Sequence, residues 1–115
     1  LPSVDEWEFA ARGGSNGGDD KFYSGGNNIE EISWCKFNSQ NKTQPVGQKL
    51  ANELGIYDMT GNVYEFCSGI NDSMIVLKGG SWANSGVGCR VSDHVVSKVD
   101  FWDDNIGFRC VEAEF

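Results

Sequence analysis

Hydrophobic positions fall into three dense blocks separated by polar, glycine-rich stretches. In the first, Val4, Trp7, Phe9, Ala10 and Ala11 recur at the three-to-four-residue interval of a helix. Ser3 and Glu6 frame it as a capping box, each satisfying the other's backbone N–H, and Gly13-Gly14 stops it. A short helix over Val4 to Arg12 is predicted. The second block ends in Val63 to Cys67, whose β-forming residues predict a strand. Ser68 to Ser73 reads as a turn and Met74 to Lys78 as an apolar strand. Ile106 to Ala113 alternates, with Phe108 and Cys110 on one face and Arg109 and Val111 on the other, and reads as a closing strand. Glu30 to Phe37 reads as a short extended piece, Pro45-Val46-Gly47 as a turn into a short strand, and Ser15 to Asn28 as loop. Helix early and strands late make an α+β chain with a small antiparallel sheet.

The last third has a different texture. Gly79-Gly80-Ser81-Trp82, Cys89-Arg90-Val91-Ser92 and Asn105-Ile106-Gly107-Phe108-Arg109 are small, rigid or aromatic, as a scaffold requires. Between them, Ala83 to Gly88 and Asp93 to Asp104 show neither helical nor strand periodicity. Fixed posts carrying patternless loops describe a binding surface, because loops carry function while a scaffold positions them. The candidate contacts are Ala83, Asn84, Ser85, Gly86, Val87 and Gly88 in the first loop. The second loop contributes Asp93, His94, Val95, Val96, Ser97, Val99, Asp100, Phe101, Trp102, Asp103, Asp104 and, at its border, Asn105. Phe101 and Trp102, bracketed by Asp100, Asp103 and Asp104, read as exposed anchors. Trp82 reads as core.

Composition narrows the class. The 115 residues make one domain, and 15 glycines against two prolines favour tight turns over long helices. The net charge of −8, with scattered Lys and Arg, argues against nucleic acid, which needs a basic stripe. No apolar run approaches the roughly 20 residues of a membrane helix. The chain opens on Leu1 rather than Met, so an upstream segment carrying localisation signals is expected elsewhere. Cys35, Cys67, Cys89 and Cys110 form no C-x-x-C pair, which removes zinc-ribbon and thioredoxin-type readings. Two disulfides in three connectivities stay open, with reduced thiols the preferred reading. Cys89 and His94 lie five apart, but no third group activates a thiolate there. No phosphate-cradling glycine motif is present.

Asp58, Gly61, Val63 and Glu65 form a candidate hard-cation site: two carboxylates seven apart, with glycine-bent backbone between them, can offer side-chain and carbonyl oxygens to calcium. The alternative is that Asp58 caps a turn and Glu65 is a hydrogen-bonding residue of the sheet.

Leu1-Pro2-Ser3-Val4-Asp5-Glu6-Trp7-Glu8-Phe9-Ala10-Ala11-Arg12-Gly13-Gly14 resembles an opening stretch of the formylglycine-generating enzyme (sulfatase-modifying factor) family. Glu53 to Cys67, Gly79-Gly80-Ser81-Trp82, Cys89-Arg90 and Ile106-Gly107-Phe108-Arg109 resemble its later blocks, in the same order. The resemblance implies a C-type-lectin-like fold, with the chain beginning partway through the family's domain. It also implies a structural calcium at Asp58, Gly61, Val63 and Glu65, the middle two through backbone oxygens. The family's oxidase uses two copper-binding cysteines five apart; here Asn84 stands at the first position and Cys89 at the second, so the resemblance implies no catalytic cofactor. An oxidase acting on cysteine-containing substrates is the alternative.

The last segment is most similar to the variable region of diversity-generating-retroelement target proteins. Mutated asparagine codons in that system cannot encode Lys, Glu, Gln, Met or Trp. In positions 83–88 and 93–105, only Lys98 and Trp102 fall outside the accessible set. That resemblance implies a binder of a protein or glycan on a cell surface, itself displayed on a cell surface or virion.

Overall fold

The computed structural model describes residues 1–18, 20–68 and 71–112. Helix α1 spans Val4–Ala11, and both hydrogen bonds of the Ser3/Glu6 capping box form, at 2.9 and 3.1 Å. Trp7 and Ala11 turn inward, while Phe9 lies off the apolar stripe and is exposed. Trp7 packs with Ala11, Met59, Cys67, Val76 and Val91 in the main core cluster. Burying a side chain of this kind stabilises the fold by roughly 1.5–3 kcal/mol.

Four strands form one sheet in the order β3-β2-β1-β4: β1 is Tyr64–Cys67, β2 Met74–Lys78, β3 Val95–Lys98 and β4 Ile106–Gly107. β1 and β2 pair antiparallel with Glu65 opposite Lys78, and β2 and β3 pair antiparallel with Val76 opposite Val96. β4 runs parallel to β1, with Tyr64 opposite Ile106. The sheet is therefore mixed rather than purely antiparallel. The chain crosses through β2 and β3 before returning, and a parallel pair needs such a long connection.

Four expectations require correction. Glu30 to Phe37 is not extended: Ile29–Ile32 forms a single helical turn, α2. The Asn28 side chain accepts from Glu30 N, and Glu30 and Glu31 occupy the first turn, where a helix favours acids. Pro45-Val46-Gly47 turns at Val46-Gly47 but leads into no strand. The closing strand is regular only over Ile106–Gly107; beyond it Phe108 is exposed, and Ala113 lies outside the described residues. Within the patternless segment 93–104, Val95–Lys98 is a strand, and Gly86–Cys89 in the other loop is a 3-10 turn. The predicted Ser68 to Ser73 turn includes Gly69 and Ile70, outside the described residues; Asn71 Oδ1 caps Ser73 N and Met74 N as β2 begins.

Irregular backbone is fixed by asparagine side chains. Asn52 donates to the carbonyl of Ala10 at 2.8 Å and accepts from Leu54 N and Ile56 N. Asn62 accepts from Gln44 N and donates back to Gln44 O, both at 3.0 Å. A buried backbone that forms no ladder must satisfy its polar groups in this way.

Candidate functional site

The two surface loops start from a common base. Gly80 has φ +71°, and a Cβ there would lie 2.6 Å from Cys89 Sγ, so only glycine fits. Ser81 is buried, and Asn84 Oδ1 accepts from its N–H at 3.1 Å and its hydroxyl at 2.6 Å. Lys36 N donates to Asn84 O at 2.9 Å. Asn84 therefore faces inward and shapes the loop's start. Ser85 and Gly88 are half-buried, whereas Ala83, Gly86 and Val87 are exposed. Val91 returns to the core, donating its N–H to Phe22 O, and Arg90 stacks over the Phe22 ring at 4.4 Å.

The second loop leaves from a buried cation. Lys78, at the end of β2, is 0% exposed and donates to Glu8 Oε1 at 2.6 Å, Val91 O at 2.6 Å and Asp93 O at 2.8 Å. Its three N–H groups are thus satisfied, and one side chain ties α1 to the exact point where segment 93–104 departs. Beyond it, His94, Val95, Val96, Val99, Asp100, Phe101, Trp102, Asp103 and Asp104 are all exposed, Trp102 at 84%. Asp93, Ser97 and Asn105 are half-buried. A hydrogen bond with Asp103 raises the Asp104 carboxyl above its usual value, with burial and like-charge repulsion adding to it. Trp82, expected in the core, is half-buried.

Three of the four candidate cation residues, Asp58, Val63 and Glu65, line a separate feature, and Gly61 does not. A pocket of about 390 Å³ opens where Asp58, Asn62, Val63 and Glu65 meet Tyr57, Phe108 and Arg109. Asp58 holds a left-handed backbone, φ +61°, and its Oδ2 accepts from Gly47 N at 2.9 Å. Its Oδ1 is buried without a hydrogen-bond partner. Gly61 also has positive φ, +77°, and a Cβ there would run into the Trp34 carbonyl. Glu65 makes the bonds of the alternative reading, a buried hydrogen-bonding residue of the sheet. Its Oε1 accepts from Trp7 Nε1 at 3.0 Å and Arg109 Nε at 2.7 Å, and its Oε2 from Arg109 Nη2 at 2.8 Å. Among the described residues no three His, Cys, Asp or Glu side chains converge as metal ligands. Of the candidate donors only Asp58 Oδ1 is unpaired; both Glu65 oxygens are taken, and Arg109 Nη2 also donates to the Tyr57 and Asp58 carbonyls at 2.9 and 3.1 Å.

The thiols are poorly placed for chemistry. Cys35, Cys67 and Cys89 are buried, Cys110 is exposed, and all four are free. Burial, helped by the nearby charges of Cys35 and Asp93, pushes the Cys89 thiol up to about 12. His94 is exposed. A thiol held protonated is a weak nucleophile and a poor metal ligand. Tyr64, whose phenol burial also raises, interacts with both Asn84 and Cys89.

The order of these blocks matches the sulfatase-modifying factor enzyme 1-like domain over residues 1–114. The chain belongs to this family. It is 34% identical over 98% of its length to the inactive C-alpha-formylglycine-generating enzyme 2 of Bos taurus, spanning 44% of that protein. It is 38% identical over 74% of its length to chaperone protein LppX of Paenibacillus barcinonensis, spanning 39% of it. Among solved structures, Treponema denticola variable protein 1 superposes with a TM-score of 0.82 at 34% identity, over 94% of this chain and 45% of that one. CarF does so at 0.80 and 31%, over 94% and 44%. The chain thus spans less than half the length of these relatives. The family's irregular C-type-lectin-like α+β fold agrees with the sequence reading, as does the likeness to a variable protein. Sequence reasoning missed Lys78 and the Glu65–Arg109 pair as structural centres. A lysine closing an apolar strand, and a glutamate inside a β-forming run, were the available signals.

Proposed function

We propose that the chain is a ligand-binding module of the diversified type, presenting exposed side chains of segments 83–88 and 93–104 on a pinned C-type-lectin-like frame. Phe101 and Trp102 are its anchors, and a protein on a cell surface, rather than a glycan, is its ligand. The observation that carries this reading is the contrast at Asp93: a buried lysine holds its carbonyl, and the residues beyond it are almost all exposed. Large exposed aromatics beside charge make interface hot spots. The likeness to a variable protein supports the same reading. The oxidase alternative finds little support, because Cys89 is buried and protonated and the Asn84 carboxamide is committed to Ser81.

Calcium belongs to the proposal as a brace. Asp58, Gly61, Val63 and Glu65 would hold it, and the unpaired Asp58 Oδ1 is the donor that supports it. A bound cation would add stability by mass action.

The genomic neighbourhood tests the diversified class: a near-identical repeat differing mainly at adenines, beside a reverse-transcriptase gene, is expected, and its absence contradicts the class. Copper binding by the purified chain, or oxidation of a cysteine-containing sulfatase peptide, would establish the oxidase instead.

A further inference from the structure

Resting on that reading, we infer that the ligand of segment 93–104 is a basic, extended protein segment that adds as a further strand to the free edge of β3. The β2–β3 register and the Val99 N to Ser73 O bond (3.1 Å) fix which backbone groups are used. In an antiparallel pair, hydrogen-bonded positions alternate. Val95, Ser97 and Val99 therefore bond to β2; Val96 directs its N–H and C=O away from the sheet and Lys98 its N–H, while Lys98 O accepts from Phe101 N at 3.1 Å in the turn that follows. Among the described residues β3 is the edge strand on that side. Both of its faces are partly open: Val95 is 40% and Val96 41% exposed, and Ser97 is half-buried. An edge with open backbone groups and partly exposed β-branched side chains is a template for an incoming strand.

Charge decides the occupant. Segment 93–104 carries Asp93, Asp100, Asp103 and Asp104 against Lys98 alone. A second copy of this chain brings the same acidic excess and a net charge of −8, and is repelled. A strand carrying Lys or Arg is attracted, and its side chains reach the carboxylates at both ends of β3. Trp102 and Phe101 lie just beyond, where they cover the stems of such side chains.

The test uses two fluorescein-labelled ten-residue peptides, one alternating Lys and Val and one alternating Glu and Val, titrated onto the 115-residue chain by anisotropy. The Lys-Val peptide is expected to bind and the Glu-Val peptide not. Val96→Pro removes an outward N–H and no ladder bond to β2, a substitution an edge strand tolerates, and is expected to weaken Lys-Val binding at least tenfold with little change in melting temperature. Should that variant not fold, amide exchange in the unmodified chain decides: the Lys-Val peptide should slow exchange at Val96 and Lys98. Equal binding of both peptides, binding of neither, or unaltered exchange at those amides overturns the inference. So does a concentration-dependent dimer abolished by Val96→Pro, which would make the occupant a second copy. Cell-surface binding lost in Trp102→Ala but retained in Val96→Pro would overturn the edge pairing while leaving the display reading intact.

Discussion

β1 and β3 flank the same strand, β2, and are held in opposite ways. β1 alternates, with Glu65 and Cys67 buried and Tyr64 and Phe66 half-buried, and its partners come from α1, β2 and β4. β3 has β2 on one edge and no buried residue. Equivalent hydrogen-bond ladders thus serve two ends. Where side chains interlock, identity is dictated by volume and charge. Where only backbone is paired, side chains are free to differ, because a ladder bond does not depend on what the residue carries. A molecule that must vary its surface without losing its fold needs both kinds of strand, and a sharp boundary between them.

Lys78 marks that boundary, and removing it is expected to have the largest effect. Lys78→Met leaves Glu8 and the Val91 and Asp93 carbonyls without their cation. A fully buried pair broken in this way costs about 3–5 kcal/mol; Glu8 is 31% exposed, so the loss, measurable by urea denaturation, is expected towards the lower end of that range. Asn84→Ala should cost less, about 1–3 kcal/mol, because it strands the buried Ser81 N–H. An equal melt for that variant would return Asn84 to the free surface.

Alkali probes the same core from another side. Burial, with the charge of Glu65, pushes the Cys67 thiol from a usual value near 9.0 up to about 12, and Cys89 behaves alike. The folded state therefore holds its protons after the unfolded state has lost them. Stability is unaffected by these groups below pH 9 and falls as pH rises from about 9 towards 12. Replacing Cys67 and Cys89 by Ala should flatten that limb of the pH–stability curve. The smallest effect belongs to β3: Val95→Thr and Val96→Thr should each shift stability by less than about 0.5 kcal/mol.

The contrast also explains what the chain reveals in advance. Ser3 and Glu6 specify α1 by local chemistry, and Met74–Lys78 is too apolar to be anything but a strand with buried neighbours. Val95–Lys98 was illegible because period-two patterning is written only when one face is covered. Asn84 was read as a surface residue although its partner, Ser81, lies three positions back in the same turn, because the sequence does not show which way a turn side chain points. Glu65 was seen as a cation ligand, and its bidentate partner Arg109 lies 44 positions away. The exposed candidates were legible by default, since residues with no structural duty leave no periodic trace.

The claim of a fixed frame bearing a free surface is tested most directly by saturating positions 78–109 with all substitutions and scoring each variant's protease resistance on a displayed chain. The account predicts broad tolerance at His94, Val96, Val99, Asp100, Phe101, Trp102, Asp103 and Asp104, and sharp intolerance at Lys78, Gly80, Ser81, Asn84 and Val91. Unfolding on substitution of Phe101 or Trp102, or free exchange at Ser81 and Asn84, would contradict it.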